Sequence, residues 1–211
     1  MSSALGVHGI APGPAVAALL IGGSAGAFDV LRAILRCLPA ALDLPVIVVL
    51  HLSSRPPDGL PELLAIDCAL PVKQAEDKEP LVPGTVYVAP PGYHLLVESH
   101  RAFALSADAP VHFSRPSIDV LFESARDTYG AAMIAILLSG ASVDGAAAMQ
   151  EIHAAGAITI VQTPASAEAG AMPLAALALF QPTFTGSPDD IVRRLPALLA
   201  RSTTVSSRSP S

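Results

Sequence analysis

Short, unbroken apolar runs separated by amphipathic stretches restrict this chain's fold more than any other feature. Val16 to Ile21, Val46 to Leu50, Ala132 to Leu138 and Ala157 to Val161 are brief and rich in aliphatic residues. They read as strands buried on both faces of a parallel sheet. Between them, Phe28 to Leu38 and Ser117 to Thr128 carry apolar residues at helical spacing, the latter with Ile118, Leu121, Phe122 and Ala125 on one face. Further helices are predicted from Gly145 through Ala154, over Ala165 to Leu179 with a break near Met172-Pro173, and over Pro188 to Ala200 behind Ser187 as N-cap. Strands alternating with helices predict an α/β fold, a doubly wound, mostly parallel sheet with helices on both faces and right-handed crossovers. Such sheets take ligands beyond the carboxyl ends of their strands.

Residues 70–105 differ in character. Val72-Lys73, Thr85 to Ala89, His94 to Glu98 and Ala102 to Leu105 are short strands bounded by turn residues, and the pattern predicts a small antiparallel region turning at Ser99-His100-Arg101. A Pro-rich loop, 55–59, and a short helix, Pro61 to Ile66, come before it. Residues 1–14 read as a flexible leader, 15–200 as one domain and 201–211 as a disordered Ser/Thr-rich tail.

The 211 residues are 52% hydrophobic, enough for one sizeable core. A formal charge of −6 without a basic stripe argues against a nucleic-acid partner. Cys37 and Cys68 lack metal-binding spacing and are expected to be buried free thiols in a reducing cytoplasm. The chain opens without a signal-peptide pattern, and no apolar run reaches the roughly 18 residues that span a bilayer. Metal binding is not expected, because no His/Cys cluster exists.

Chemistry is concentrated at three predicted strand ends. Gly22-x-Ser24-x-Gly26 sits at a strand-to-helix turn, where free backbone N–H groups could stabilise an oxyanion beside a serine hydroxyl. A phosphate-binding loop and a plain turn fit the same residues. His51 ends the second strand, and Asp144 lies in the turn after 132–138. Parallel strands would gather serine, base and acid in one crevice. Simpler readings stand beside this one: His51 as a hydrogen-bonded structural residue, Asp144 as an N-cap, Asp119 as an acid in a helix's first turn. The order Ser, His, Asp departs from the α/β-hydrolase order, and a dinucleotide fold would want G-x-G-x-x-G.

With these residues in place, the sequence resembles the catalytic domain of the bacterial chemotaxis protein-glutamate methylesterase (CheB) family from about Ala15 to Ala200. The resemblance rests on Ile21 to Gly26, Val48 to Leu52, Gly84 to Pro90, Arg115 to Phe122, Leu138 to Ala146 and Gly170 to Pro173, in the family's order and spacing. It implies Ser24 as nucleophile, His51 as general base and acid, and Asp144 as orienting acid. It further implies hydrolysis of glutamate methyl esters on the cytoplasmic helices of methyl-accepting chemotaxis receptors, deamidation of receptor glutamines, and no cofactor. Ala25, Arg115, Ala141 and Met172 are the residues expected to contact substrate. Ala25 and Ala141 stand where the family has Thr and Met, and Leu50 where it has Gln, so a roomier, less polar pocket is expected. The family's receiver domain has no counterpart in the leader, so activity is expected to be either ungated by phosphorylation in cis or gated by a separate regulatory protein. A catalytically weak binding module of the same fold, and a hydrolase of another ester or amide, are the alternatives.

Overall fold

The computed structural model describes residues 14–51 and 59–200. The predicted leader over 1–13, the Pro-rich loop over 55–58 and the tail over 201–211 lie outside the described residues. In chain order the elements are β1 (Ala18–Gly23), α1 (Phe28–Arg36), β2 (Val46–Leu50), α2 (Leu60–Ala65), β3 (Val72–Gln74), β4 (Val86–Val88), β5 (His94–Val97) and β6 (Phe103–Ser106). There follow α3 (Ile118–Tyr129), β7 (Met133–Leu137), α4 (Ala146–Ala154), β8 (Ile158–Gln162), α5 (Ala171–Leu179), β9 (Phe184–Gly186) and α6 (Pro188–Leu199).

Seven strands form one parallel sheet in the order β3-β4-β2-β1-β7-β8-β9. The chain runs outward from β1 to one side through β2 and then crosses to β7 on the other, so the topological switch point lies at the carboxyl end of β1. Period-2 alternation divides the strand side chains between two cores. Leu19, Ile21, Val48 and Ile136 face α1, α2 and α6, packing on Leu31, Leu35, Leu64 and Ile191. Leu20, Val49, Ala135 and Leu137 face α3, α4 and α5, packing on Ile118, Phe122, Met149 and Met172. With both faces covered, a continuous apolar run is what each central strand requires.

β5 and β6 form the expected antiparallel hairpin. It is anchored to the sheet by Phe103, whose ring meets Tyr87 of β4 edge-on at 4.9 Å. β3 and β4 correct the expectation for 70–105: both join the main sheet in parallel, β4 beside β2. Three-residue strands are too short to display the pattern that would have distinguished them. The expected break at Met172-Pro173 is also corrected. Pro173 lies in the first turn of α5, where a missing N–H costs nothing, and the interruption precedes Gly170. Ser187 caps α6 as predicted, in a capping box with Asp190. Cys37 and Cys68 are free and half-buried rather than fully buried. No described helix is long and apolar enough to cross a membrane.

Candidate active site

The three central strands β2, β1 and β7 end side by side, and each is followed by one of the predicted residues. His51 follows β2, its N–H donating to the carbonyl of Gly23 at 2.9 Å; Ser24 follows β1, its N–H donating to the carbonyl of Ser139 at 2.8 Å. Asp144 closes the turn after β7. Parallel pairing in register therefore brings together residues separated by up to 120 positions in the chain.

Asp144 is fully buried, and an isolated carboxylate there would be costly. The N-terminus of α3 supplies its partners. Oδ1 accepts the Ser117 hydroxyl at 2.8 Å and the N–H of Asp119 at 3.0 Å, while Oδ2 accepts the N–H of Ile118 at 2.7 Å. His51 Nε2 lies 3.0 Å from Oδ2, an ion-pair distance with the ring N–H pointing off the line between them. Burial pushes the Asp144 carboxyl up, but the contact with His51, the N–H groups of Asp119 and Ile118 and the Ser117 hydroxyl outweigh it. They hold the group below the ordinary aspartate value of 3.8. The simple N-cap reading of Asp144 needs amendment: the N-cap of α4 is Gly145, and Asp144 binds the start of α3 instead.

The other imidazole nitrogen, Nδ1, lies 3.3 Å from the Ser114 hydroxyl. With Nε2 turned to a carboxylate, the partners assign the proton to Nε2 and leave Nδ1 as the basic nitrogen. Ser24 is half-buried in the turn between β1 and α1, and its hydroxyl makes no hydrogen bond among the described residues. The N–H groups of Ala25 and Gly26 are likewise without partners there, and α1 has no side-chain cap at Ala27. These donors lie beside the hydroxyl at the positive end of a helix.

Close packing dictates the glycines around the turns. A Cβ on Gly22 or on Gly145 would come within 2.6 Å of Ile118 Cγ2, so one side chain seats both the Ser24 strand and the Asp144 turn. A Cβ on Gly140 would stand 2.6 Å from Met172 Cε and 3.0 Å from Ser24 Cβ. Met172 is thus a fully buried wall beside the serine, its N–H donating to the carbonyl of Gly140. Ala25 and Ala141 are exposed at the crevice. Arg115 Nη1 donates to the carbonyls of Ala107 and Asp108 at 2.8 and 2.9 Å, bonds that tie down its own loop.

Several supporting residues had no role in the sequence reading. His94, almost fully buried, accepts the N–H of Ser117 on Nδ1 and donates through Nε2 to the carbonyl of Ala109, which anchors the residue that holds Asp144. The Ser139 hydroxyl donates to the carbonyl of Ala25 at 2.7 Å and accepts the N–H of Ala169, bracing the serine turn from β7. Gln162 in turn accepts the Ser139 N–H. The one available signal for these was polarity inside or next to an apolar run, which marks a buried group needing partners without naming them.

Residues 19–195 match the family model described as CheB methylesterase. The chain belongs to the CheB methylesterase family. A Leptospira interrogans relative is 41% identical over 160 residues, 76% of this chain and 83% of its own length, and is provisionally named for methylesterase and glutaminase activities. A Geobacter metallireducens protein-glutamate methylesterase/protein-glutamine glutaminase is 40% identical over 86% of this chain, which spans about half of it (52%). The protein-glutamate methylesterase FrzG of Myxococcus xanthus is 36% identical over 77% of the chain and 48% of its own length. The crystal structure of the Thermotoga maritima CheB methylesterase catalytic domain superposes with a TM-score of 0.78 at 26% identity, covering 89% of this chain and 99% of that one. The doubly wound sheet with its small hairpin is therefore the CheB catalytic-domain architecture.

Proposed function

We propose that this protein is a serine hydrolase that removes methyl groups from glutamate methyl esters, and deamidates glutamines, on the cytoplasmic helices of methyl-accepting chemotaxis receptors. The family membership and the names of the relatives support the two activities. The observation that carries the reading is the pairing of His51 with a buried, multiply bonded Asp144 at the strand end next to Ser24.

In this mechanism Ser24 Oγ attacks the side-chain carbonyl of the methylated glutamate, and its proton passes to His51 Nδ1. The carbonyl oxygen becomes an oxyanion, held by backbone N–H groups of the Ala25-Gly26 turn. Asp144 stabilises the imidazolium through Nε2 without accepting the proton, as its lowered pKa requires. The tetrahedral species collapses, and methanol leaves with the proton from Nδ1. Water then repeats the sequence on the acyl-enzyme, regenerating Ser24 and releasing the glutamate carboxylate. A glutamine substrate follows the same course with ammonia as leaving group. The Ser114 hydroxyl, 3.3 Å from Nδ1, is displaced as Ser24 engages the base. Ala25, Ala141 and Arg115 are the exposed side chains offered to the substrate, while the fully buried Met172 packs behind the serine turn.

The test is methanol release from methylated receptor cytoplasmic fragments by wild type and by Ser24→Ala. Release by the wild type, reduced to background in the variant, is the expected result. No release by either folded protein overturns the reading.

A further inference from the structure

Asp119 is a carboxylate beside the candidate triad that takes no part in the chemistry above, although it is 5% exposed. Its Oδ1 accepts the N–H of Ala148 at 3.0 Å, in the first turn of α4, and the nearby N–H of Gly145 also favours its charged form. α4 has no side-chain cap of its own, because its N-cap is Gly145 in the left-handed region. In exchange Asp144, the residue before Gly145, accepts the N–H groups of Ile118 and of Asp119 itself at the start of α3. Each acid closes the other's helix. The turn carrying Asp144 cannot rotate away from α3 without stripping α4 of the carboxylate that caps it.

We propose that Asp119 is a positioning residue of the hydrolytic site: by capping α4 from within α3 it holds the Asp144 turn so that Asp144 Oδ2 stays on His51. The inference rests on the hydrolase reading. Charge works in the same direction. Burial pushes the Asp119 carboxyl up and the adjacent Asp144 charge pushes it further, against the N–H groups of Ala148 and Gly145. Asp144 is held low. The two carboxyls titrate as a pair, and the Ser117 hydroxyl with the N–H groups of Ile118 and Asp119 favours the negative charge on Asp144, beside the imidazole. The groups facing Asp119 are His112, with Nε2 3.3 Å from Oδ2 in the loop before α3, Asp144 in the β7–α4 turn, and Glu123 one turn along α3; α4 presents the N–H groups already named.

A fluorophosphonate probe that labels an activated serine tests this without a receptor. Labelling of Ser24 is followed against pH in wild type, Asp119→Ala and Asp119→Asn, with thermal unfolding alongside. Asp119→Ala should lower the labelling rate per folded molecule on the order of 10-fold to 10²-fold, because the acid and the base lose register. Asp119→Asn keeps an acceptor for the α4 N–H groups and should recover most of that rate. It also removes a negative charge near the imidazolium, so the acid-side midpoint should move down by about half a pH unit. Unchanged rate per folded molecule in Asp119→Ala, with an unmoved midpoint in Asp119→Asn, overturns the positioning role. If Asp119→Ala does not fold, the midpoint in Asp119→Asn decides alone. Absence of labelling in the wild type overturns the hydrolase reading and the positioning role with it.

Discussion

The N-termini of α1 and α3 both lie at the carboxyl ends of the central strands, and the chain uses their N–H groups in opposite ways. At α3 they are spent: those of Ile118 and Asp119 bind the Asp144 carboxylate, and Ser117 adds its hydroxyl. At α1 they are kept in reserve, since Ala27 provides no side-chain cap and the N–H groups of Ala25 and Gly26 have no partner among the described residues. A permanent buried charge must be satisfied at all times, or it protonates. A charge that exists only while substrate reacts needs donors left free and already oriented, because reorganising them would add to the barrier. In the proposed mechanism the same backbone resource serves a fixed anion on one side and a transient one on the other.

Asp144→Asn breaks the α3 side of this comparison and should have the largest effect. The amide can still accept an N–H but cannot hold a charge beside the imidazolium, so methanol release should fall on the order of 10⁴-fold. The same variant reports on stability through pH. Because the native Asp144 pKa is lowered, its contribution is complete above the ordinary value of 3.8 and is lost as pH falls through the native value. Asp119 has the opposite sign: its raised pKa means that protonation relieves its burial as pH falls through that value. Urea unfolding should therefore show wild type losing stability more steeply than Asp144→Asn below 3.8; equal slopes would contradict the assignment.

Gly26→Ala breaks the α1 side. The residue has a φ of +74° and its Cβ would meet Glu168 Cβ at 2.4 Å and Ser139 Oγ at 2.9 Å. The turn must shift, taking the reserved donors out of line, at an expected cost of ~10²-fold in turnover and about 1–2 kcal/mol in stability. A variant with unchanged turnover would show that the oxyanion is held elsewhere. Ser187→Ala sharpens the comparison from a third helix N-terminus. α6 closes within its own capping box, Ser187 with Asp190, so its loss should cost about 1 kcal/mol in a thermal melt and leave turnover unchanged. A fall in turnover would mean that α6 communicates with the site.

The sequence carried the parallel sheet in its apolar runs. Val46 to Leu50 matches β2 residue for residue, and β1 and β7 lie within two residues of their predicted bounds. Those runs are visible because burial on both faces demands them. β9, three residues with a glycine, and the parallel β3 and β4 had no comparable signal. Ser24, His51 and Asp144 could be selected because each follows such a run. His94, Ser114 and Ser117 could not be given roles, since their function lies in whom they bond, and their partners are distant in the chain.

By itself, then, the sequence determined the alternation of strand and helix, the serine, base and acid types at three strand ends, and the family. These are local properties, set by the pattern of burial and by the chemistry of single side chains. Only the tertiary structure decided that Asp144 caps α3 rather than its own helix, that Nδ1 is the nitrogen of His51 turned away from Asp144, and that Asp119 caps α4 in return. Each of these depends on which helix end packs against which turn. Helix ends leave the same unsatisfied N–H groups whatever their sequence, so the choice of partner belongs to the packing of α3 against α4.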